Sequence, residues 1–181
     1  MTQLVTGPAL QAGIDRSETC IGHFYKYLKI CGIMEKLYKL VSDAQASLFV
    51  LFHKTWVYHW HVVGPDFQQL HTLFGDQYET MFEEVDRISE HMRYLNIKPI
   101  STLSRTTEVS RVDQASNSAQ DIDADGMVKQ LHDDNKSLIE LLAEVSEEAE
   151  QQKSYATANL VQDLMESHGK FVWMLRSFTE K

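Results

Sequence analysis

Four residues with metal-binding side chains, His59, His71, Asp86 and Glu90, fall within one 32-residue stretch of the 181-residue chain. Imidazole nitrogens combined with carboxylate oxygens suit a redox-active ferrous ion when some coordination positions stay open. The same ligand types also suit zinc. The residue types therefore predict a metal site, and they leave iron and zinc as alternative occupants.

The two carboxylates lie too far along the chain from His71 to share a metal with it. If residues 66–96 form one helix, Asp86 lies 15 residues beyond His71, a separation of about 22 Å at roughly 1.5 Å per residue. Asp86 and Glu90 are four residues apart and share a face of that helix. They make up one half of a site.

The two histidines make up the other half. His59 lies five residues before Gly64, and His71 lies six residues after Pro65. A helical hairpin that turns at this Gly-Pro pair would bring the two imidazoles to similar height. Since neither half is complete, the spacing predicts that a second subunit supplies the missing ligands.

The apolar pattern that must position these residues is helical. From residue 33 onward, apolar side chains recur at steps of three and four, which is typical of amphipathic helices. Gly64-Pro65 ends the first helix, and Asp66 is well placed to cap the second. The predicted helices span residues 33–63, 66–96, 125–152 and 154–178.

The connections between these helices indicate the fold. The first two are joined by a short turn, whereas residues 97–124 form a link long enough to need a short helix of its own or a path across the bundle. We therefore predict an all-α, ferritin-like four-helix bundle with one long crossover between helices 2 and 3. Residues 33–181 form this domain, and residues 1–32 form an N-terminal arm.

Ferritin-like di-iron proteins usually build their site inside one bundle, from Glu-x-x-His pairs on facing helices. This chain contains no Glu-x-x-His. The absence of that motif agrees with a site divided between two subunits.

Composition limits the partners. The net charge is -9, with 26 acidic against 17 basic residues, which argues against broad attraction to nucleic acid or anionic membranes. Two cysteines are too few to indicate a disulfide framework, and no apolar run is long enough for a membrane span. We expect a soluble cytoplasmic protein that does not interact with membranes.

A run of aromatic, histidine and glycine residues spans the predicted hairpin. It reads Tyr58-His59-Trp60-His61-Val62-Val63-Gly64-Pro65-Asp66-Phe67, then Leu70-His71, then Glu84-Val85-Asp86-Arg87-Ile88-Ser89-Glu90. With Lys170-Phe171-Val172-Trp173-Met174-Leu175-Arg176 in the last helix, this pattern resembles the Dps family, the mini-ferritins of starved or stressed bacteria. The resemblance covers about residues 33–180.

The resemblance implies a hollow shell of twelve identical subunits that oxidises Fe(II) at two-fold interfaces and stores the ferric mineral inside, protecting the cell from oxidative stress. Many members of the family prefer hydrogen peroxide to dioxygen as the oxidant. The implied ligands of a two-iron ferroxidase site are His59 and His71 from one subunit and Asp86 and Glu90 from its partner. Trp60 and Trp173 correspond to aromatic positions near the iron, where oxidisable rings intercept radicals.

Two positions depart from the family pattern. One turn after the second histidine the family often carries a carboxylate that helps to hold a second iron, and this chain has Gly75 there. At the three-fold pore an aspartate commonly follows Thr-Ala, and this chain has Asn159 after Thr157-Ala158. The first departure predicts a weak second iron.

DNA binding is a second function that this fold could carry. Family members that condense DNA generally use Lys-rich tails, but residues 1–15 of this chain contain neither Lys nor Arg. With a net charge of -9 in each subunit, we expect no direct DNA binding. The sequence is also compatible with a helical interaction module without a redox role, and with a shell that holds zinc and has little ferroxidase activity.

Overall fold

The computed structural model describes the backbone of residues 16–115 and 122–179, and the side chains of residues 35–115 and 122–179. Within these ranges the chain is helical and contains no strand. The elements, in order, are α1 (Arg16–His61), α2 (Phe67–Tyr94), α3 (Leu103–Val109), α4 (Ala124–Gln151) and α5 (Tyr155–Thr179). Four long helices and one short helix confirm the predicted all-α bundle.

The start of the first helix differs from the prediction. Helix α1 begins at Arg16 rather than at residue 33. The prediction relied on a sustained apolar stripe, but a helix needs only residues that tolerate helical backbone, and residues 16–32 contain no proline. Backbone contacts divide the chain into two units, residues 1–33 and residues 34–181. The division into an arm and a bundle domain stays a prediction.

The turn between α1 and α2 forms at the predicted Gly-Pro pair. Gly64 has a φ of +116°, in the region that favours glycine over residues with a Cβ atom. Its carbonyl oxygen accepts a hydrogen bond from the backbone N–H of Phe67 at 3.1 Å, which leads directly into α2. Asp66 occupies the N-cap position but makes no side-chain capping bond. The tight turn brings the end of α1 against the start of α2.

The crossover contains the predicted short helix. Helix α3 occupies seven residues of the link between α2 and α4. Helix α4 then starts with a side-chain cap, because a carboxylate oxygen of Asp123 accepts a hydrogen bond from the N–H of Gly126 at 2.8 Å. Among the described residues, no helix is long and apolar enough to cross a membrane.

The core of the bundle is apolar, with buried polar links between helices. Apolar side chains that recur along α2 are buried, as the helical pattern requires, among them Leu70, Phe74, Met81, Ile88 and Met92. Phe67 is an exception, since it is 42% exposed at the first residue of α2. Lys54 of α1, buried to 3% exposure, pairs with Asp134 of α4 at 2.6 Å. Such pairs fix how the helices are rotated relative to one another.

Candidate metal centre

His59 and His71 lie side by side where α1 meets α2. Their ring centroids are 3.8 Å apart and the ring planes differ by 20°, so the imidazoles stack face to face. The hairpin at Gly64 explains the pairing, because it reverses the chain between two residues that are 12 positions apart. The structure thus brings together the two histidines that the sequence singled out.

Reciprocal hydrogen bonds fix both rings. Nδ1 of His59 lies 2.7 Å from the carbonyl oxygen of His71, and Nδ1 of His71 lies 2.8 Å from the carbonyl oxygen of His59. A carbonyl oxygen can only accept, so each Nδ1 carries the proton and donates. In the neutral ring this leaves the lone pair on Nε2, which is the nitrogen available to a metal. Histidine ligands in proteins are generally held by such a bond from the second nitrogen.

Aromatic and polar neighbours support the histidine pair. The ring of Phe67 stacks on His71 with centroids 5.1 Å apart, which explains why this apolar residue stays at the surface. Next to His59 in α1, the fully buried Tyr58 donates from its hydroxyl to Oε1 of Gln130 in α4 at 2.5 Å. Burial, with the nearby Asp134 carboxylate, raises the pKa of Tyr58 to about 12. The phenol therefore remains a neutral donor that anchors this end of α1.

Gly75 lies directly against the His59 ring. A Cβ atom at this position would stand 3.4 Å from Cε1 and 3.5 Å from Nδ1 of His59. These distances correspond to tight or ordinary contact, so the absent side chain leaves little empty space. At the position where a carboxylate ligand was expected from the resemblance, the backbone of α2 packs on the imidazole instead.

Asp86 and Glu90 lie on the outward side of α2, far from the histidines of the same chain. Both carboxylate side chains are exposed. Helix α2 is continuous from Phe67 to Tyr94, so His71 and Asp86 are separated by about 22 Å along it. Within residues 35–115 and 122–179, no group of three or more His, Cys, Asp or Glu side chains gathers to hold a metal. Within one chain the histidine pair and the carboxylate pair therefore stay apart.

Arg87 lies between the two carboxylates in sequence and connects α2 to α5. Its guanidinium donates to Asp163 at 2.6 Å, and both side chains are more than half exposed. An open pocket of about 420 Å³ between these helices is lined by Glu90 and also by Asn159, the residue that departs from the family's pore pattern. Burial and the Arg87 charge lower the pKa of His91, which also lines this pocket.

An aromatic cluster extends from the histidine pair along the α1–α2 surface. Tyr78 meets His59 edge-on at 5.2 Å, and it lies 6.0 Å from Trp56. Trp56 in turn lies 4.7 Å from Trp60, which is 54% exposed. Phe52 and Phe82 complete this aromatic face.

Neither Trp56 nor Tyr78 was singled out from the sequence, and Tyr78 is half-buried. Phe52, Trp56 and Trp60 follow one another at steps of four residues, which places them on one side of a helix. That spacing was the available signal for the cluster.

Trp173 has a different setting from Trp60. It is 57% exposed on α5 and lines a shallow groove against α2, with Gln69 and Asp76 on the other wall. Among the described residues it makes no ring contact with another aromatic side chain. The two tryptophans that the resemblance grouped together thus differ in their connection to His59.

The bundle core also contains a buried network that the sequence did not reveal. Fully buried His168 of α5 bonds through Nδ1 to Oδ1 of Asn135 at 2.5 Å and through Nε2 to Oε2 of Glu84 at 3.1 Å. The Asn135 amide donates to the carbonyl oxygen of Leu131, which fixes its orientation. These residues use their polar atoms on one another and join α2, α4 and α5.

Comparison with known proteins identifies the family of the chain. Residues 38–181 match the ferritin-like domain family called Ferritin. The chain is 34% identical over 142 residues to a low temperature-induced protein of Nostoc sp., with 78% of each chain covered. It is 31% identical to DNA protection during starvation protein 2 of Bacillus anthracis, covering 81% of this chain and 95% of the relative.

A solved structure gives the same result. The X-ray structure of Dps from Thermosynechococcus elongatus superposes with a TM-score of 0.79 at 25% identity, covering 83% of this chain and 94% of that one. Together with the family match over residues 38–181, this superposition confirms the resemblance seen in the sequence. The chain belongs to the Dps family of ferritin-like proteins.

Proposed function

We propose that this protein oxidises Fe(II) at sites shared by two subunits and stores the ferric product within a hollow shell of twelve copies. The observation that carries the proposal is the histidine pair, in which both Nδ1 atoms are held by backbone carbonyls and both Nε2 atoms are left for a metal. Membership of the Dps family supports iron as the substrate. No observation favours zinc over iron.

The missing ligands would come from a second copy. Asp86 and Glu90 are exposed and cannot reach the histidines of their own chain, whereas in a symmetric dimer each subunit receives what it also provides. The aromatic face next to His59 supports this arrangement. It exposes Trp56, Trp60 and Phe82 in one region, and contiguous apolar surface of this kind marks an interaction site.

The chemistry at such a site is the transfer of electrons from iron to the oxidant. With hydrogen peroxide, two Fe(II) and two protons give two Fe(III) and two waters. The imidazoles and carboxylates bind Fe(II), and the oxygen-rich half stabilises the ferric product. Since Fe(II) and peroxide are consumed together, the reaction removes both sources of hydroxyl radical.

A mixing experiment tests the shared site. The first variant is His59→Ala/His71→Ala, and the second is Asp86→Asn/Glu90→Gln. Each is assayed alone with anaerobic Fe(II) and peroxide, by the absorbance of ferric iron. The two variants are then dissociated, mixed in equal amounts and reassembled.

The two inactive variants should complement each other. In a mixed dimer one of the two sites has all four ligands, so random pairing restores about a quarter of the wild-type activity. A site contained within one chain predicts no recovery, which would contradict the proposal. Size-exclusion chromatography of wild type and mixture verifies that both form the same twelve-subunit assembly.

DNA protection is the second candidate, because the Bacillus anthracis relative carries that name. The chain has a net charge of -9 and no basic residue within residues 1–15, which disfavours phosphate contacts. We therefore expect iron-free protein at neutral pH not to retard plasmid DNA. Salt-sensitive retardation would favour the second candidate instead.

A further inference from the structure

The aromatic rings form an unbroken series of contacts that starts at a proposed iron ligand. From His59 the series passes through Tyr78 and Trp56 to Trp60, with centroid separations of 5.2, 6.0 and 4.7 Å. Each separation is within the range of contacting aromatic pairs. Tyrosine and tryptophan are the aromatic side chains most easily oxidised by one electron. The chain therefore places three electron donors in a row beside the site.

Gly75 creates a need for such donors. It packs against His59 where a carboxylate for a second iron was expected, and glycine offers no ligand. Reduction of one hydrogen peroxide to two waters takes two electrons, and a single Fe(II) provides one. A site that holds one iron securely lacks an immediate source for the second electron.

We propose that Tyr78 and Trp56 supply this second electron, so that the aromatic series takes the place of a second bound iron while the peroxide is reduced. The proposal rests on the ferroxidase function proposed above. In the first step Fe(II), hydrogen peroxide, the Tyr78 phenol and one proton give Fe(III), a tyrosyl radical and two waters. The O–O bond breaks, iron and tyrosine each lose one electron, and the phenolic proton enters the water produced.

The radical then passes to the tryptophans. Trp56 gives one electron to the tyrosyl radical, which takes up one proton and becomes the Tyr78 phenol again, and the contact between Trp56 and Trp60 lets the two indoles share the missing electron. A second Fe(II) that reaches the site reduces the radical and becomes Fe(III). The overall stoichiometry stays at two irons per peroxide, as for a site with two metals.

The surroundings of Tyr78 and Trp56 favour an oxidised indole. Tyr78 lines a cleft of about 560 Å³ together with Trp56, Glu79 and Glu83. The two carboxylates stabilise positive charge on the neighbouring indole. Trp173 lies in a separate groove on α5, outside this series.

The test is a single turnover with less than one Fe(II) per subunit. Anaerobic protein is loaded with iron, mixed with one equivalent of hydrogen peroxide and frozen within milliseconds for electron paramagnetic resonance. The variants are Tyr78→Phe/Trp56→Phe, which keeps an aromatic ring at both positions, and Trp173→Phe as the matched control. Anaerobic Fe(II) titration and size-exclusion chromatography verify that each variant binds iron and assembles.

Wild type and the Trp173→Phe control should both give an organic radical that forms at the same rate as Fe(III). In the double variant the radical should fall to background. There, one-electron reduction of peroxide by Fe(II) releases hydroxide and a hydroxyl radical, which a spin trap detects in solution. An equal organic radical signal in the double variant, or its loss in the control instead, overturns the proposal.

Gly75→Asp provides an independent test with the aromatic rings intact. The new carboxylate next to His59 should raise the number of Fe(II) bound per subunit from one to two, and the radical yield at full loading should fall because iron now supplies both electrons. A radical yield that stays unchanged although a second iron binds contradicts the proposal. If wild type binds no Fe(II), the proposed function itself fails; if it oxidises iron without any radical, only the relay fails.

Discussion

The histidine end of the α1–α2 hairpin and the carboxylate segment of α2 are built in contrasting ways. The histidines stack on each other and bond to backbone carbonyls, so a single chain fixes them before any metal binds. Asp86 and Glu90 are exposed on one helix face, next to an exposed Arg87–Asp163 ion pair. Tertiary structure fixes the histidine pair, which is the rigid half of the proposed site, whereas the carboxylate pair, the open half, is exposed. This contrast fits the proposal that a second subunit completes the site.

The largest expected effect comes from removing a ligand of the rigid half. His71→Ala should lower Fe(II) affinity by more than about 100-fold, because losing a ligand costs at least as much as losing its supporting bond. Anaerobic isothermal titration measures the affinity. His53→Ala removes a histidine of α1 outside the pair and serves as the matched control. Equal losses in both variants would show that the histidine pair is not the binding site.

A smaller effect is expected from the buried ion pair that supports α1 near the histidine end. Lys54→Met leaves the partly buried Asp134 unpaired and should cost about 3 kcal/mol at neutral pH, the lower end for broken buried pairs because Asp134 keeps some solvent contact. Urea unfolding measures the free energy.

The cost of Lys54→Met should also depend on pH. Burial raises the pKa of Asp134 despite its bond to Lys54. A raised pKa means that the folded state holds the Asp134 proton more tightly than the unfolded state does. The free energy of unfolding therefore falls as pH rises from the unfolded-state pKa through the folded-state pKa. The penalty should therefore be full above the folded-state pKa and shrink as pH falls towards 3.8. A penalty that grows on acidification would contradict this assignment.

The hairpin turn gives the next effect. Gly64→Ala places a Cβ atom at a φ of +116° and should destabilise the fold by about 1–3 kcal/mol. No heavy atom lies within 4 Å of the added carbon, so the cost is backbone strain alone. Gly169→Ala is the matched control, because a Cβ atom at Gly169 also meets no heavy atom within 4 Å, but this glycine lies inside helix α5. The substitution should stabilise α5 by about 0.5–1 kcal/mol. Thermal unfolding of both variants measures the difference.

The smallest effect is expected at the carboxylate half. Arg87→Met breaks an ion pair in which both side chains are more than half exposed. Exposed pairs of this kind contribute between zero and about 1 kcal/mol, and high salt reduces the contribution further. Urea unfolding at low and high salt measures it. A loss of unfolding free energy as large as that of Lys54→Met would show that the exposed carboxylate segment is held as firmly as the histidine end of the hairpin.

Much of the fold was predictable because periodic apolar spacing and strong turn residues are local signals. The two predicted features that define the hairpin, Gly64-Pro65 and the start of α2 after Asp66, appear in the structure. The start of α1 was wrong because helices can extend beyond their apolar stripe. The links between His168, Asn135 and Glu84 could not be predicted, since they join residues up to 84 positions apart.

The sequence by itself determined which residues carry atoms that can bind a metal and that His71 and Asp86 of one chain cannot share one, because helix rise is a fixed property of the backbone. Only the tertiary structure decided that each Nδ1 donates to the other histidine's carbonyl oxygen and that Gly75 packs against His59. It also decided that Tyr78 and Trp56 connect His59 to Trp60. These contacts join separate helices, and their geometry depends on how the helices are rotated and packed.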